Sequence, residues 1–182
     1  MSAAVTKCPD VCPSHHVHHC MAYKNKANGF YSNHHLAGNT WEYNSASENR
    51  SNYEMKNRHS NTAEGAYDVP GYNHILCHNV SWNYRDKGHV TNYDPETCIM
   101  TNNSFLPQDS AFTVTAGMFV STDISGLIVK RNADGTLPEI NFMRGREGST
   151  PAKRQMGWCW DETETDAIQP AQCATTDNGV IY

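Results

Sequence analysis

The polar and apolar positions of the first hundred residues follow a repeat of seven residues. Each copy has an apolar residue, two variable residues, Asn or Cys, another variable residue, Ala or Ser, and usually an aromatic residue. The four copies are Val17–Tyr23, Trp41–Ser47, Leu76–Trp82 and Ile99–Phe105, and their starts are separated by 24, 35 and 23 residues. The two near-equal intervals predict one structural unit per copy. The i, i+3, i+4, i+7 spacing of apolar residues that indicates helices is nearly missing.

A unit of this length fits one coil of a parallel β-helix, which contains three short strands and three turns. Equivalent side chains then lie above one another at the strand spacing of about 4.8 Å. A buried Asn amide in such a column donates to one neighbour and accepts from the other, so the ladder satisfies its own polar groups. The residues predicted to form it are Asn44, Asn79 and Asn102, with Cys20 as a small buried group at its end. The predicted fold is all-β, a right-handed single-stranded parallel β-helix of about four to five coils.

Beyond the repeat, the chain divides into an insertion, a cap and a tail. The long interval contains about eleven surplus residues within Asn57–Gly71, a stretch rich in turn formers that predicts a loop on one coil. Residues 1–144 are predicted to form the coils and a capping segment. Residues 145–182 have no repeat and few aliphatic residues, which predicts an irregular tail with disordered parts.

The composition excludes several classes of protein. Leu, Ile, Val and Phe account for 27 of the 182 residues, which excludes a Leu-rich helical bundle. No stretch approaches the run of about 18 apolar residues that a transmembrane helix needs. The formal net charge of −5 argues against a nucleic-acid-binding surface, which needs a basic field. Because aliphatic residues are scarce, aromatic residues must supply apolar area, and those expected in the core are Tyr23, Trp41, Tyr53 and Trp82.

Cysteine and histidine residues near the N-terminus leave a zinc module at residues 8–19 as one hypothesis. Three residues separate Cys8 from Cys12 and His15 from His19, and both separations occur in structural zinc sites. Only two residues separate Cys12 from His15, however, where a zinc finger has about a dozen. Small buried thiols and polar loop histidines are therefore the preferred interpretation.

Three segments of the chain resemble a known family of enzymes: Tyr23–Met55, Asp68–Trp82 and Gly135–Arg144. The most specific parts are Asn25–His35 (NKANGFYSNHH) and Gly38–Trp41 (GNTW). Over roughly residues 8–144 the chain is similar to the C-terminal half of secreted bacterial pectate lyases of polysaccharide lyase family nine. The resemblance implies a parallel β-helix, in agreement with the repeat, and calcium-dependent β-elimination of polygalacturonate outside the cell. No apolar segment of a signal peptide is visible in residues 1–20.

The resemblance also implies what the reaction needs. A cation binds the uronate carboxylate and acidifies the proton on the neighbouring carbon, and in this family a neutral Lys removes that proton. The family's calcium ligands are Asp residues on earlier coils, and its base follows a Gly-Phe on an earlier coil. Here Asn28–Phe30 is followed by Tyr31 rather than Lys, and the Asp residues before position 90 are the scattered Asp10, Asp68 and Asp86. We therefore expect a fragment without the calcium site or the base, to which no metal binds.

The remaining candidates would bind substrate. The residues expected to line a sugar groove, or alternatively to fix a turn through bonds to the backbone, are Asn33, His34 and His35. The cationic residues expected either to bind uronate carboxylates or to lie on solvated surface are Lys24, Lys26, Arg50, Lys56 and Arg58. The expected partner is polygalacturonate or a related acidic polysaccharide, and neither nucleic acid nor a membrane. The alternative function is a carbohydrate-binding β-solenoid without catalysis.

Overall fold

The computed structural model of the protein describes residues 12–62, 65–105, 112–127, 131–136 and 138–160. The structure is mostly β. Its strands are β1 (His16–His18), β2 (Met21–Tyr23), β3 (Phe30–Tyr31), β4 (Thr40–Glu42), β5 (Ser45–Glu54), β6 (Asn57–Thr62), β7 (Gly65–Val69), β8 (Ile75–Cys77), β9 (Val80–Thr91) and β10 (Ile99–Thr101). Two 3-10 helices at Ala116–Met118 and Ile124–Leu127 and a short α1 (Thr150–Lys153) follow. Within these ranges, no helix has the length and apolar character needed to cross a membrane.

Successive strands of the repeat stack in parallel. One sheet has the order β1-β4-β8-β10, and in the other β2, β3 and β9 all pair with the long strand β5. Val17 pairs with Trp41 and Trp41 pairs with Leu76, so the first three copies of the repeat lie in one column. The parallel stacking agrees with the prediction from the repeat, whereas the handedness and the number of coils stay predictions.

The fourth copy begins one residue later than the sequence analysis predicts. Ile99 pairs with Ile75, and Met100 takes the column position beside Leu76. The alignment was wrong there because Asn102 and Asn103 are adjacent and either one satisfies the pattern. Asn103 is the buried ladder residue. The ladder residues are then separated by 24, 35 and 24 residues.

A ladder of Asn side chains runs through the stack. The Oδ1 atoms of Asn44, Asn79 and Asn103 each accept a backbone N–H from the preceding coil, from Cys20, Asn44 and Asn79 in turn, at 3.0 Å. Each Nδ2 also donates to a carbonyl on the preceding coil, from Asn44 to Val17, Asn79 to Trp41 and Asn103 to Leu76, at 2.8 to 2.9 Å. Cys20 ends the ladder as predicted, but its side chain is exposed rather than buried.

The surplus residues of the long interval form a hairpin on the second coil. β6 and β7 pair antiparallel, with Arg58 opposite Asp68 and His59 opposite Tyr67. At its base, Asn57 is buried and its Oδ1 lies 2.6 Å from Nε2 of the buried His74. The insertion is therefore joined to the core through its first residue.

Apolar side chains form two clusters, one on each side of the second sheet, because side chains alternate between the faces of a strand. The cluster inside the coils, between the two sheets, contains Ala22, Phe30, Trp41, Ala46, Tyr53, Met55 and Leu76. The cluster on the outer face contains Val80, Phe119, Phe142, Met143 and Met156, with Met21, Tyr23 and Trp82 packed against it. The four aromatic residues expected in the core thus divide evenly between the two clusters.

The segment after the repeat covers the outer face of the second sheet. Met156 is fully buried, the N–H of Gly157 donates to the carbonyl of His78 at 2.8 Å, and the N–H of Trp158 donates to Ser45 Oγ at 3.2 Å. Packing therefore continues past residue 144, where the sequence analysis ends the first domain. The expected tail beyond residue 160 lies outside the described residues, and the division into domains stays a prediction.

Candidate functional site

One face of the stack consists of β3, the second half of β5 and the end of β9. Tyr31, Glu54 and Thr91 pair across these strands and are set opposite to the inward-facing Phe30 and Tyr53. The chain turns before β3, at residues 24–29, and again after it, at residues 32–39. Of the substrate-binding residues predicted from the sequence, Lys24 and Lys26 lie in the first turn and Asn33, His34 and His35 in the second. Arg50 lies on the neighbouring strand β5, and Lys56 and Arg58 follow that strand.

Lys24, Lys26 and Arg50 lie together at the turn before β3. The N–H of Arg50 donates to the carbonyl of Ala27 at 2.9 Å, so the turns of the first two coils are stacked. On the third coil a bulge places three exposed residues, 85–87, opposite Arg50 alone, since Asn49 pairs with Tyr84 and Ser51 with Gly88. We call the five cations brought together here the basic corner: Lys24, Lys26, Arg50, Arg85 and Lys87.

Two contacts tie the bulge to the rest of the basic corner. Arg50 Nε lies 3.2 Å from Asp86 Oδ2, and Arg85 donates to the carbonyl of Asn25. Arg85 and Lys87 were not among the binding residues predicted from the sequence. Their signal is their place in the chain, because they stand three and five residues after Trp82, and Lys24 and Lys26 stand one and three residues after Tyr23, the equivalent residue of the first copy of the repeat.

Buried amides hold this corner from the inside. Asn49 Oδ1 accepts the N–H of Asn25 at 2.9 Å, and Asn52 Nδ2 donates to Ser81 Oγ at 2.7 Å. A Cβ at Gly29 would lie only 2.6 Å from Asn49 Nδ2 and from the carbonyl oxygen of Asn52, so only glycine fits there. The Gly of the Asn28–Phe30 motif thus lets the chain pass close over the amides that fix the basic corner.

Beyond β3, the hairpin brings a second charged group to the face. Asp68 Oδ1 lies 2.7 Å from His34 Nδ1 and 3.0 Å from Arg58 Nη2, and Lys56 Nζ lies 3.7 Å from Asp68 Oδ2. Tyr31 completes the group, because its hydroxyl lies 2.9 Å from His34 Nε2. We call Tyr31, His34, Lys56, Arg58 and Asp68 the hairpin charge cluster.

The acid–base behaviour of the hairpin charge cluster follows from these contacts. Partial desolvation opposes the shift, but the hydrogen bonds from Arg58 and His34 lower the pKa of the Asp68 carboxyl. Burial raises the pKa of the Tyr31 phenol, although the charge of Lys56 acts in the opposite direction. At neutral pH the cluster therefore presents a protonated phenol and an ionised carboxylate that is already bound by cations.

Asn33 and His35 do not join that cluster. Asn33 is exposed in a left-handed conformation, with φ of 51°. His35 contacts its own turn, with Nδ1 2.9 Å from the carbonyl oxygen of Ala37, and its Nε2 lies 3.7 Å from Cys12 Sγ. Of the three residues predicted for a sugar groove, only His34 lies among charged side chains, and His35 has the contacts of a residue that fixes a turn.

Glu54 lies in the middle of the face and was not found from the sequence. It is buried, and its carboxylate accepts hydrogen bonds from Thr91 Oγ1, at 2.8 Å, and from the amide of Asn92. Its partners come from the next coil, 37 and 38 residues further along the chain. A carboxylate here disfavours a bound anion directly above it, so negative groups of a ligand are favoured at the two ends of the face.

No three His, Cys, Asp or Glu side chains within the described ranges converge to hold a metal ion. Two described residues of the zinc hypothesis have partners outside residues 8–19: Cys12 Sγ lies 3.7 Å from His35 Nε2, and His16 Nε2 lies 2.6 Å from Glu42 Oε2. Cys8 lies outside the described residues. The expectation that this chain binds no metal stays a prediction.

The stacked parallel coils form a fold like that of known polysaccharide lyases. Two solved structures share it with this chain. A rhamnogalacturonan lyase is 34% identical with a TM-score of 0.73, and the match covers 82% of this chain and 35% of that one. The pectate lyase Pel9A is 29% identical with a TM-score of 0.53, and the match covers 75% of this chain and 29% of that one. The chain thus spans about a third of the length of each lyase. No family model and no curated protein matches it.

Proposed function

We propose that this chain is a substrate-binding portion of a secreted pectate-lyase-like enzyme of polysaccharide lyase family nine. The substrate is polygalacturonate or a related acidic polysaccharide. The proposal is supported by the similarity to two lyases whose names specify pectate and rhamnogalacturonan. The observation that carries it is the basic corner, in which the same turn of three successive coils presents cations on a chain whose net charge is −5.

The binding chemistry is that of cations with uronate carboxylates. Lys24 and Lys26 are exposed, whereas Arg50 is near Asp86 and shares its charge with that carboxylate. Exposed ion pairs are weak one at a time, so affinity for a polyanion depends on several cations acting together. A stack of coils supplies this arrangement because it repeats the same corner at each step of about 4.8 Å.

The proposal assigns catalysis to parts of such an enzyme that this chain does not contribute. Tyr31 stands after Asn28–Phe30, and burial keeps the pKa of its phenol above the usual value, so it is a proton donor rather than a base at neutral pH. Calcium ligands and the Lys base of the family belong to earlier coils in this proposal. The proposal also includes that this chain corresponds to the C-terminal half of such an enzyme and that its coils wind in the right-handed sense.

The second candidate is a carbohydrate-binding β-solenoid without catalysis. It is favoured by the pairing of Lys56 and Arg58 with Asp68, which leaves binding groups on the face but offsets part of the positive charge near Tyr31. The two candidates share the same surface and ligand class. They differ in whether the surface belongs to an enzyme that cleaves the bound chain.

Isothermal titration with oligogalacturonides tests the binding surface. We expect the double variant Lys26→Ala, Arg50→Ala to bind roughly three- to tenfold more weakly than the parent chain, from the loss of two charge contacts. The matched control is Arg131→Ala. It removes a cation from a separate exposed turn, where the Arg131 guanidinium donates to the carbonyl of Gly135. Equal binding by all three proteins would remove the basic corner from the proposal.

An elimination assay separates the two candidates. We expect polygalacturonate with calcium to give no rise in the ultraviolet absorbance of unsaturated product with this chain alone. Turnover that a chelator abolishes would contradict the assignment of the catalytic groups to other coils. If the chain binds without turnover, the next step is to mix it with a polypeptide that contains the earlier coils of a pectate-lyase-like enzyme. Lyase activity of the mixture supports the first candidate, and no activity supports the second.

A further inference from the structure

A groove of about 390 Å³ lies beside the hairpin, away from the hairpin charge cluster. Its lining residues are His59, Val69, Pro70, Tyr72, Tyr93, Asp94 and Pro95. Side chains alternate across paired strands, so Arg58 and Asp68 are on one face of the hairpin and His59 and Val69 are on the other. The volume is within the roughly 300 to 1,000 Å³ of small-molecule sites. The hairpin therefore separates a charged surface from a mainly apolar groove.

The walls of the groove are fixed by backbone contacts. Gly71 pairs with Tyr93 in a parallel bridge, and the N–H of Asp94 donates to the carbonyl of Gly71 at 2.7 Å. A Cβ at Gly71 would overlap the carbonyl oxygen of Met55, at 1.6 Å, so only glycine allows this close approach. The hydroxyl of Tyr72 donates to the carbonyl of Leu36 at 2.8 Å, which holds that ring in place. A ligand that enters the groove meets a preformed surface, which lowers the entropic cost of binding.

The lining selects against negatively charged ligands. Tyr72, Tyr93 and two prolines offer flat apolar surface of the kind that packs against the C–H face of a pyranose ring. Asp94 is the carboxylate of the lining, and its oxygens accept from Glu96 N–H at 3.0 Å and from Thr97 Oγ1 at 2.9 Å. An ionised carboxylate has acceptor capacity beyond these two bonds and can accept from sugar hydroxyls. None of the described lining residues is Lys or Arg, so a uronate here would face Asp94 without a cation to bind it.

We propose that this groove binds an uncharged pyranose residue, at a site separate from the cationic surface that would bind uronates. The inference rests on the proposed function for the choice of a sugar as the ligand. The rigid aromatic walls, the acceptor Asp94 and the missing cation in the lining supply the rest. A neutral sugar beside the acidic main chain, whether within it or as a branch, would then be bound on the far face of the hairpin.

NMR titration of the full chain with three monosaccharide probes tests the site. The neutral probes are methyl galactopyranoside and methyl rhamnopyranoside, and the charged probe is galacturonate. We expect the ring resonances of Tyr72 and Tyr93 to shift with the neutral probes and to shift less with galacturonate. Equal shifts with all three probes, or none with the neutral pair, would overturn the assignment.

Two tyrosines provide a matched pair of variants. Tyr93→Leu keeps apolar volume but removes the flat ring, and we expect it to weaken binding of the neutral probes roughly three- to tenfold. Tyr84→Leu removes an exposed tyrosine on β9 that is not in the groove and stacks edge-on against His89, and it should leave the affinity unchanged. If Tyr93→Leu does not fold, the exposed His59→Ala replaces it. Tyr93→Leu, or His59→Ala in its place, binding the neutral probes as tightly as the parent chain would contradict the proposal.

The charge of Asp94 gives an independent readout. Asp94→Asn keeps one acceptor and removes the negative charge, so galacturonate should gain affinity relative to the neutral probes. An unchanged preference would contradict the role given to Asp94. Sizing chromatography of the parent chain and Tyr93→Leu covers a further outcome, since a dimer lost in the variant would assign the groove to a second copy and overturn the proposal. Oligogalacturonide binding without neutral-sugar binding would overturn this inference alone, and the reverse result would overturn the acidic substrate alone.

Discussion

Asn79 shows at the scale of one residue how a chain with few aliphatic residues holds its coils together. Its Oδ1 accepts the N–H of Asn44, and its Nδ2 donates to the carbonyl of Trp41 at 2.8 Å. The side chain is fully buried, so water cannot replace any hydrogen bond that is lost when this amide is removed. Its Nδ2 also donates to Asn103 Oδ1 on the following coil, at 2.9 Å, so one amide joins three consecutive coils.

We expect Asn79→Ala to lower the free energy of unfolding by about 3 kcal/mol, because it leaves buried groups on Asn44, Trp41 and Asn103 without partners. Urea denaturation measures the loss. The complementary variant is Cys20→Asn, which adds an amide at the ladder end above Asn44 and should raise stability by about 0.5 to 1 kcal/mol. A loss smaller than about 1 kcal/mol for Asn79→Ala would contradict the structural role of the ladder.

His74 makes stability depend on pH. It is fully buried, its Nδ1 accepts the N–H of Asn39 at 2.9 Å, and its Nε2 lies 2.6 Å from Asn57 Oδ1. Burial lowers the pKa of His74 from 6.5 to about 4, although backbone hydrogen bonds oppose the shift. Burial also lowers the pKa values of His78 and His89. All three imidazoles are therefore held neutral at a pH where an unfolded chain would protonate them.

The sign of the effect follows from proton linkage. Between pH 6.5 and about 4 the unfolded chain binds a proton at His74 and the folded chain does not, so stability is full above pH 6.5 and falls as the pH falls through this range. The full difference for His74 is about 3 kcal/mol. Urea midpoints at several pH values measure it. His74→Gln should flatten part of the profile, and the rest is expected from His78 and His89. A midpoint that does not change with pH in the parent chain would contradict the prediction.

At the scale of elements, the sequence predicts what the coils repeat and not what is added to them. The column of Val17, Trp41 and Leu76 was predictable because each coil must place an apolar residue and an amide at the same steps. The hairpin was not, because the turn-rich composition of Asn57–Gly71 is the same for an irregular loop and for paired strands. Its pairing depends on contacts such as Asn57 with His74, which no local pattern records.

The candidate site divides in the same way. Lys24, Lys26 and Arg50 were predictable because they come shortly after the first and second copies of the repeat. The bulge that adds Arg85, and the carboxylate of Glu54 bound by the next coil, depend on how neighbouring coils fit. The groove beside the hairpin is lined by three separate parts of the chain, so no single motif points to it.

The segment that covers the outer face offers a test with matched glycines. Gly157 has φ of +95°, and a Cβ there would lie 2.8 Å from Ser45 Oγ and 3.2 Å from Val80. We expect Gly157→Ala to cost about 2 kcal/mol or more, because backbone strain and a clash act together. Gly148→Ala is the control, since φ is +76° but the space around it is open, and it should cost about 1 kcal/mol. Equal losses in thermal unfolding would show that the segment does not pack on Ser45.

At the scale of the whole molecule, positive charge is concentrated at one corner of a chain whose net charge is negative. The chain carries 14 Lys and Arg and 19 Asp and Glu, so its average field repels a polyanion. The stacking of coils nevertheless gathers Lys24, Lys26, Arg50, Arg85 and Lys87 at one corner. Attraction there must act at short range and through exposed side chains, and both conditions make it sensitive to salt.

Salt therefore distinguishes the two proposed sugar sites within one molecule. Raising the ionic strength from about 0.1 M to about 1 M shortens the Debye length from about 10 to about 3 Å. Oligogalacturonide binding at the basic corner should weaken by roughly three- to tenfold, because each exposed contact is screened. Binding of methyl galactopyranoside in the groove should stay the same, because it involves apolar contact and hydroxyl hydrogen bonds. Calorimetric titration at both ionic strengths measures each affinity. An oligogalacturonide affinity that does not change with salt would mean that uronates bind away from the exposed cations of the basic corner.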